Sequence, residues 1–386
     1  PEKLTGMSEI APEELIARLR LIRTRHVGPI TYHELLDTYG SAFQAIDTLP
    51  DLARRGGSRA ALTLHSKTQA EDEIADLKRL GGSLLCHDQG AYPALLKAID
   101  PPPPLLFARG RVSLLREPML AMVGARNAST NGRRFASRLA AGLGEAGFVI
   151  ASGLARGIDA AAHRGALPTG TVAVLGGGLD QIYPPENTDL YGEIAATGVV
   201  LSERPLGHVG RAQDFPRRNR IISGMALGTL VVEAALGAGS GMNARVAGEQ
   251  GREVFAVPGS PLDERCRGTN RLIRDGAHLV EDIEDVLAVL GALPAHDGAG
   301  LVNPNAKPVL EAPSPRPSVT GSLDLGEPPD TARTRLLTLL GPSPTQVDTL
   351  LRESGLEPGA FRTLLLELEL AGRIERQPGN KVARLG

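Results

Sequence analysis

Phe148-Val149-Ile150-Ala151-Ser152-Gly153-Leu154-Ala155-Arg156-Gly157-Ile158-Asp159-Ala160-Ala161-Ala162-His163 joins a short apolar run to a glycine-bearing loop and then to an alanine-rich segment with helical character. A strand covered on both faces has no solvent side, so it reads as continuous apolar residues instead of an alternation. The loop after it must turn sharply into a helix, and glycine lets the backbone do so. Strand, glycine loop and helix form the repeating unit of a parallel α/β sheet.

Outward from this stretch the unit recurs. Further short runs lie at Ser83-Leu84-Leu85, Leu105-Leu106-Phe107, Leu120-Ala121-Met122-Val123, Thr171-Val172-Ala173-Val174-Leu175, Val199-Val200-Leu201, Leu230-Val231-Val232, Val254-Phe255-Ala256-Val257 and His278-Leu279-Val280. Helical patterns separate them. The alternation over 80–292 predicts an α/β fold with an extended Rossmann-type, doubly wound, mostly parallel sheet.

The flanks read differently. Over 8–72, apolar residues at helical spacing (Leu15, Ile16, Leu19, Ile22, then Leu35, Leu36, then Ala45, Ile46) predict short helices. Between them His26-Val27-Gly28-Pro29-Ile30 is similar to the helix-hairpin-helix turn of SAM-like domains, whose amides can meet a phosphate. A helical bundle that only packs, or mediates contacts, fits these residues equally. Residues 293–330, including Ala312-Pro313-Ser314-Pro315-Arg316-Pro317, lack any periodic apolar face and read as a flexible linker. Over 331–386, helices at 334–340, 344–352 and 358–371 precede Arg373-Ile374-Glu375-Arg376 and Lys381-Val382-Ala383-Arg384, joined through Pro378-Gly379-Asn380. Three helices and a hairpin describe a winged helix.

Composition narrows the function. At 386 residues the chain can bury a large core without staples, and Cys86 and Cys266 give no reason to expect a disulfide framework. No apolar run reaches the ~18–20 residues of a membrane span, and Pro1 to Ile10 lack the pattern of a signal peptide. The expectation is a cytoplasmic protein with no membrane contact. A net charge of −2 excludes a surface that coats nucleic acid throughout, so any such site is a local patch. With aromatics at 3% and no Trp, successive base stacking is poorly supplied and phosphate contacts must dominate. There is no Walker-type Gly-x-x-x-x-Gly-Lys-Ser/Thr, and neither the cysteines nor the histidines show metal-ligand spacing, so no cofactor or metal is expected. His163 reads as a structural helix residue.

In a parallel sheet, ligands bind beyond the carboxyl ends of the strands. Gly124-Ala125-Arg126-Asn127 follows one strand, Ser152-Gly153 to Gly157-Ile158-Asp159 another, Gly176-Gly177-Gly178-Leu179-Asp180 a third, and Gly237-Ala238-Gly239-Ser240-Gly241 a fourth. Glycine at a helix start exposes amides with no side chain to block an anion. The remaining segment, Asp214-Phe215-Pro216-Arg217-Arg218-Asn219-Arg220-Ile221-Ile222-Ser223-Gly224, reads as a loop after Leu201 with three arginines and an asparagine in four residues. Guanidinium groups fork onto phosphate, Asn reaches sugar or base edges, and Phe215 can stack on a base. The expected DNA contacts are Gly124, Arg126, Ser152, Gly153, Arg156, Phe215, Arg217, Arg218, Asn219, Arg220, Ser240 and Gly241.

These blocks, together with Gly177-Gly178-Leu179-Asp180, Ile182-Tyr183-Pro184, Gly239-Ser240-Gly241 and Val257-Pro258-Gly259, resemble the signature blocks of the DNA-processing protein A (DprA, or Smf) family, in that family's order over residues 10–290. The resemblance implies a protein of natural transformation that binds incoming single-stranded DNA, forms a homodimer through its Rossmann domains, and helps load RecA recombinase on strands covered by single-strand binding protein. It implies a DNA contact at Arg126 and a DNA-binding loop at Phe215 to Arg220. Where some relatives carry a basic residue after the Tyr-Pro, this chain has Pro185.

The rival reading is an enzyme, because such sheets also resemble nucleoside monophosphate phosphoribohydrolases with Pro-Gly-Gly-x-Gly-Thr-x-x-Glu. Leu236-Gly237-Ala238-Gly239-Ser240-Gly241-Met242-Asn243-Ala244 lacks that carboxylate. Glu233 and Asp159 are expected to cap or orient backbone. In the winged helix, Glu357, Glu367 and Glu369 against Arg362 make the third helix acidic, with Phe361, Leu364, Leu365 and Leu368 as its buried stripe, so it is not expected to enter a major groove. Any DNA contact there should be confined to Arg373, Arg376, Lys381 and Arg384 of the hairpin.

Overall fold

The computed structural model of the protein describes residues 10–58, 61–237, 239–291, 330–341, 343–377 and 379–385. Of the linker expected over 293–330, all but Asp330 lies outside the described residues. Helices α1 (Pro12–Arg23), α2 (Pro29–Tyr39), α3 (Ala42–Arg55) and α4 (Lys67–Arg79) come first. Proline in the first turn of α1 and α2 needs no amide partner there, and the left-handed Gly40 ends α2.

Next come β1 (Gly82–Cys86), α5 (Ala94–Lys97), β2 (Leu105–Gly110), β3 (Met119–Gly124), α6 (Thr130–Glu145), β4 (Val149–Ser152), α7 (Ile158–Ala166), β5 (Thr171–Val174), α8 (Thr188–Thr197), β6 (Val199–Ser202), α9 (Asp214–Gly224), β7 (Gly228–Val232), α10 (Gly239–Glu249), β8 (Glu253–Ala256), α11 (Arg267–Arg274), β9 (His278–Leu279) and α12 (Ile283–Leu290). Every strand read from the sequence is present, in one nine-stranded sheet ordered β1-β2-β6-β5-β4-β3-β7-β8-β9. β1 and β2, and β2 and β6, pair antiparallel; the remaining pairs are parallel. Successive residues of β3 feed opposite cores, Met119, Ala121 and Val123 on one face and Leu120 and Met122 on the other. Strand order reverses between β3 and β7, which places a crevice at their carboxyl ends.

One element differs from its sequence reading. Asp214–Gly224 is the helix α9, not a loop. Helical periodicity turns Asp214, Arg218, Ile221 and Ile222 inward and leaves Arg217 in solvent.

The C-terminal elements are α13 (Asp330–Leu339), β10 (Thr345–Gln346), α14 (Val347–Ser354), α15 (Pro358–Leu370), β11 (Ile374–Gln377) and β12 (Lys381–Arg384), with strand order β10-β12-β11, a winged helix. The chain divides into two units: Ala75–Ile99 and Leu105–Ala312 carry the sheet, whereas Ser8–Ile74, Asp100–Pro104 and Pro313–Gly386 form the other. The flanking domains, read from the sequence as separate, therefore share one unit.

Helix α15 is the seam of that second unit. Phe361, Leu364, Leu365 and Leu368 fill the winged-helix core, while Leu366 and Leu370 join the core of α1–α3 with Leu21, Tyr32 and Leu49. The acidic side chains of α15 are buried, not solvated. Glu367 is 0% exposed and pairs with Arg333 and Arg55; Glu369 accepts a 2.5 Å hydrogen bond from Thr31 Oγ1. Arg376, expected on the open face of the hairpin, instead donates to Glu34 Oε1 at 2.5 Å and lies 3.2 Å from Glu369 Oε2. Burial pushes the Glu369 carboxyl up, with Arg376 opposing. The His26 ring of the Gly-Pro turn packs on Gly372, so this turn lies under the winged helix.

Candidate nucleic-acid interface

The loops after β3, β4 and β7 and the start of α9 meet at the carboxyl edge of the sheet. After β3, Ala125 N donates to Glu233 O at 2.7 Å and Ile158 N to Ala125 O at 3.2 Å, which stitches the loop to its neighbours. Ser129 caps α6 by accepting from Gly132 N, and Glu233 accepts from Ser129 N at 2.8 Å and Ser129 Oγ at 2.5 Å. Glu233 thus orients backbone, as does Asp159, which accepts from Gly153 N at 3.2 Å and Ala155 N at 3.3 Å. Burial raises the Asp159 pKa, against the opposing pull of Arg218 and those two amides.

These bonds give part of the expected site internal partners. The amides after Gly153 are engaged internally: Leu154 N donates to His163 Nε2 at 3.3 Å, and His163 Nδ1 is 2.7 Å from Thr171 Oγ1, whose hydroxyl donates to Ile150 O. Burial and the Arg218 and Arg164 charges push the His163 pKa down to about 3, so the ring is neutral. Ser152 is fully buried and donates to Met122 O at 2.6 Å.

Arg218 and Asn219 are likewise buried and engaged internally. Arg218 is 7% exposed; its Nη1 donates to Gly153 O at 2.5 Å and Val174 O at 2.7 Å, and its Nε to Asn219 Oδ1 at 3.0 Å. The guanidinium clamps the ends of β4 and β5, and a Cβ on Gly153 would collide with it. Desolvation pulls the Arg218 pKa down to about 10, with Asp159 opposing, so it stays charged at neutral pH. Leaving a buried charge unpaired costs several kcal/mol, which is why carbonyls and a carboxylate converge on it. Arg220 is paired with Glu203 at 2.6 Å. Asp214 starts α9 by accepting from Arg211 N and binding Arg204 and His208. Burial alone would raise its pKa, but the His208 bond, the Arg211 amide and the Arg204 charge win and hold it low.

What remains open to solvent is narrower and better defined. Arg126 and Arg217 are exposed, and among the described residues neither forms an ion pair. The Arg126 guanidinium lies 5.1 Å over the Phe215 ring. Arg156 is exposed and pairs with Glu186, a surface pair worth little. Gly124 closes β3 beside Arg126. Above the first turn of α10, which holds Gly239, Ser240 and Gly241, a Cβ on either glycine would meet nothing within 4 Å. A helix start with open space above it favours an anion. Among the described residues the edge therefore presents Arg126 and Arg217 without ion pairs, while the carboxylates Asp159, Asp214 and Glu233 are engaged inward.

Residues 83–291 match the family described as DNA recombination-mediator protein A, residues 12–75 the DprA-like N-terminal HHH domain, and residues 321–380 the DprA winged helix domain. Protein Smf of Synechocystis sp. is 36% identical over 316 residues, covering 78% of this chain and 79% of that protein. The solved DNA processing protein A of Streptococcus pneumoniae superposes with a TM-score of 0.59 at 35% identity, covering 72% of this chain and 98% of that one. The DNA processing protein A of Helicobacter pylori, solved for its single-stranded DNA binding mode, gives 0.50 at 30% identity, covering 54% and 95%.

Proposed function

This chain belongs to the DNA recombination-mediator protein A (DprA, or Smf) family, and on that premise we propose that it binds single-stranded DNA, tolerant of sequence, across the carboxyl edge of its parallel sheet. The observation that carries the reading is the pairing state of the edge: among the described residues Arg126 and Arg217 are exposed without ion pairs and the first turn of α10 is open, while Asp159 and Glu233 are turned inward. Polyanion binding requires the first condition, and hydrolysis at a sugar requires a free acid or base, which Glu233 and Asp159 do not offer. The Helicobacter pylori relative, whose structure addresses single-stranded DNA binding, supports the choice of ligand.

Fluorescence anisotropy with labelled single-stranded and duplex oligonucleotides tests this. Affinity for the single strand should exceed that for duplex and should fall with salt at a slope of about −0.7 per phosphate neutralised. Arg126→Ala and Arg217→Ala should each reduce that slope by about 0.7 and weaken all sequences alike. Salt-independent binding, or release of base from a nucleoside monophosphate without strand binding, would favour the hydrolase instead.

The same proposal extends to the recipient of the strand. As a recombination mediator in the cytoplasm, and as a homodimer whose paired edges raise affinity through effective concentration, the protein would deliver strands taken up in natural transformation to RecA recombinase. Its effect should be seen as faster RecA filament formation on strands covered by single-strand binding protein, with no acceleration on bare strands refuting the handover.

A further inference from the structure

Phe215 is the aromatic residue that the sequence nominates for stacking, yet its ring is already occupied. The Arg126 guanidinium lies 5.1 Å from its centroid, the Arg218 guanidinium 5.9 Å, and the Tyr183 ring 6.2 Å away at an interplanar angle of 49°. Its Cδ1 also packs on the glycine turn after β5, 3.3 Å from where a Cβ on Gly176 would stand. A ring contacted by two cations, another ring and a backbone turn has little face to offer a ligand. Tyr183 is the opposite case. It is 58% exposed, in a chain with only 3% aromatic residues.

We infer that Tyr183 is the base-stacking subsite of this edge, taking an unpaired nucleobase on its free face while Arg126, across Phe215, takes a neighbouring phosphate. The inference rests on the single-strand reading above and deepens it by assigning a position and a chemical class, the π-face of a base. A solitary exposed tyrosine is an ordinary surface feature. This one stands on a ring that is itself pinned by Arg126 and Arg218, and Arg218 is anchored in turn to Gly153 O and Val174 O. Pro184 and Pro185 fix two successive φ angles directly after it. A ring already resting against Phe215 loses less freedom when a base arrives than one with no neighbour. Every base has a π-face, so the subsite adds affinity without reading sequence.

The test titrates the full chain with oligothymidylate and with a phosphodiester strand of equal length lacking bases. Wild type should prefer the base-bearing strand. Tyr183→Ala should weaken that strand by roughly 5- to 100-fold, the range for one base–aromatic stack, and leave the base-free strand unchanged. Tyr183→Phe should bind as wild type. Because the ring is exposed, the melting temperature of all three should agree. If wild type binds neither strand, the single-strand reading itself fails. If wild type binds both equally, or Tyr183→Ala binds as wild type or loses affinity only by changing oligomeric state, that reading survives and the stacking assignment falls.

Discussion

Arg126 and Arg218 lie on the same aromatic ring and have opposite roles. Arg218→Ala would leave the carbonyls of Gly153 and Val174 and the buried Asp159 without their cation, at a cost of about 3–5 kcal/mol, read as a large drop in melting temperature. Arg126→Ala should leave melting unchanged and reduce oligonucleotide affinity. If both variants melted like wild type, the clamp would be misassigned. His163 gives a pH signature. The unfolded histidine takes up a proton near pH 6.5, whereas the folded ring resists protonation down to about 3. In that window the unfolded chain binds more protons, so stability is full above about pH 6.5 and falls on acidification by at most about 1.4 kcal/mol per pH unit. Urea midpoints at pH 7 and pH 5 should differ more in wild type than in His163→Gln; equal shifts would contradict the assignment. Sequence composition located the cations of this edge but not which of them are free. An arginine in solvent and one clamped between β4 and β5 look alike until carbonyls 44 and 65 residues upstream supply the acceptors.

At the scale of elements, the strands were legible because a strand covered on both faces has one signature, an unbroken apolar run. Helix α9 was not, because Pro216 and the arginines obscure its periodicity, and four of its seven buried residues, Asp214, Arg218, Asn219 and Ser223, are polar or charged. Helix α15 was legible on one face only. Its stripe Phe361, Leu364, Leu365 and Leu368 marks the winged-helix core, but Glu367 and Glu369, which in the sequence only make the helix acidic, are buried in ion pairs. From Leu364 to Leu370 every residue of this helix is buried, whereas Arg362 in its first half stays exposed. Leu370→Ala should destabilise by about 2–5 kcal/mol, as a truncation in a packed core does, and lower the urea midpoint without changing single-strand affinity. A loss of duplex binding with unchanged stability would instead mark α15 as a groove reader.

For the whole molecule, the union of the two chain ends could not be read from the sequence, since each flanking domain carries an apolar stripe that looks self-sufficient. Its consequence for truncation is specific. A chain ending at Gly291 keeps the sheet and its open cations, so strand affinity should persist, but it uncovers the side of the α1–α3 core that Leu366 and Leu370 close. Burial of those two leucines contributes roughly 1.5–3 kcal/mol each, so the shortened chain should melt in two steps, the helical part first; a single unshifted transition would argue against the shared core. The same union has a temporal side. On the ribosome the first three helices emerge about 300 residues before the two leucines that finish their core, a wait of roughly 15–60 s at ~5–20 residues per second. During elongation the newborn bundle must therefore keep an oily flank from neighbouring nascent chains, so its safe maturation depends on translation speed and on chaperones as much as on its own sequence.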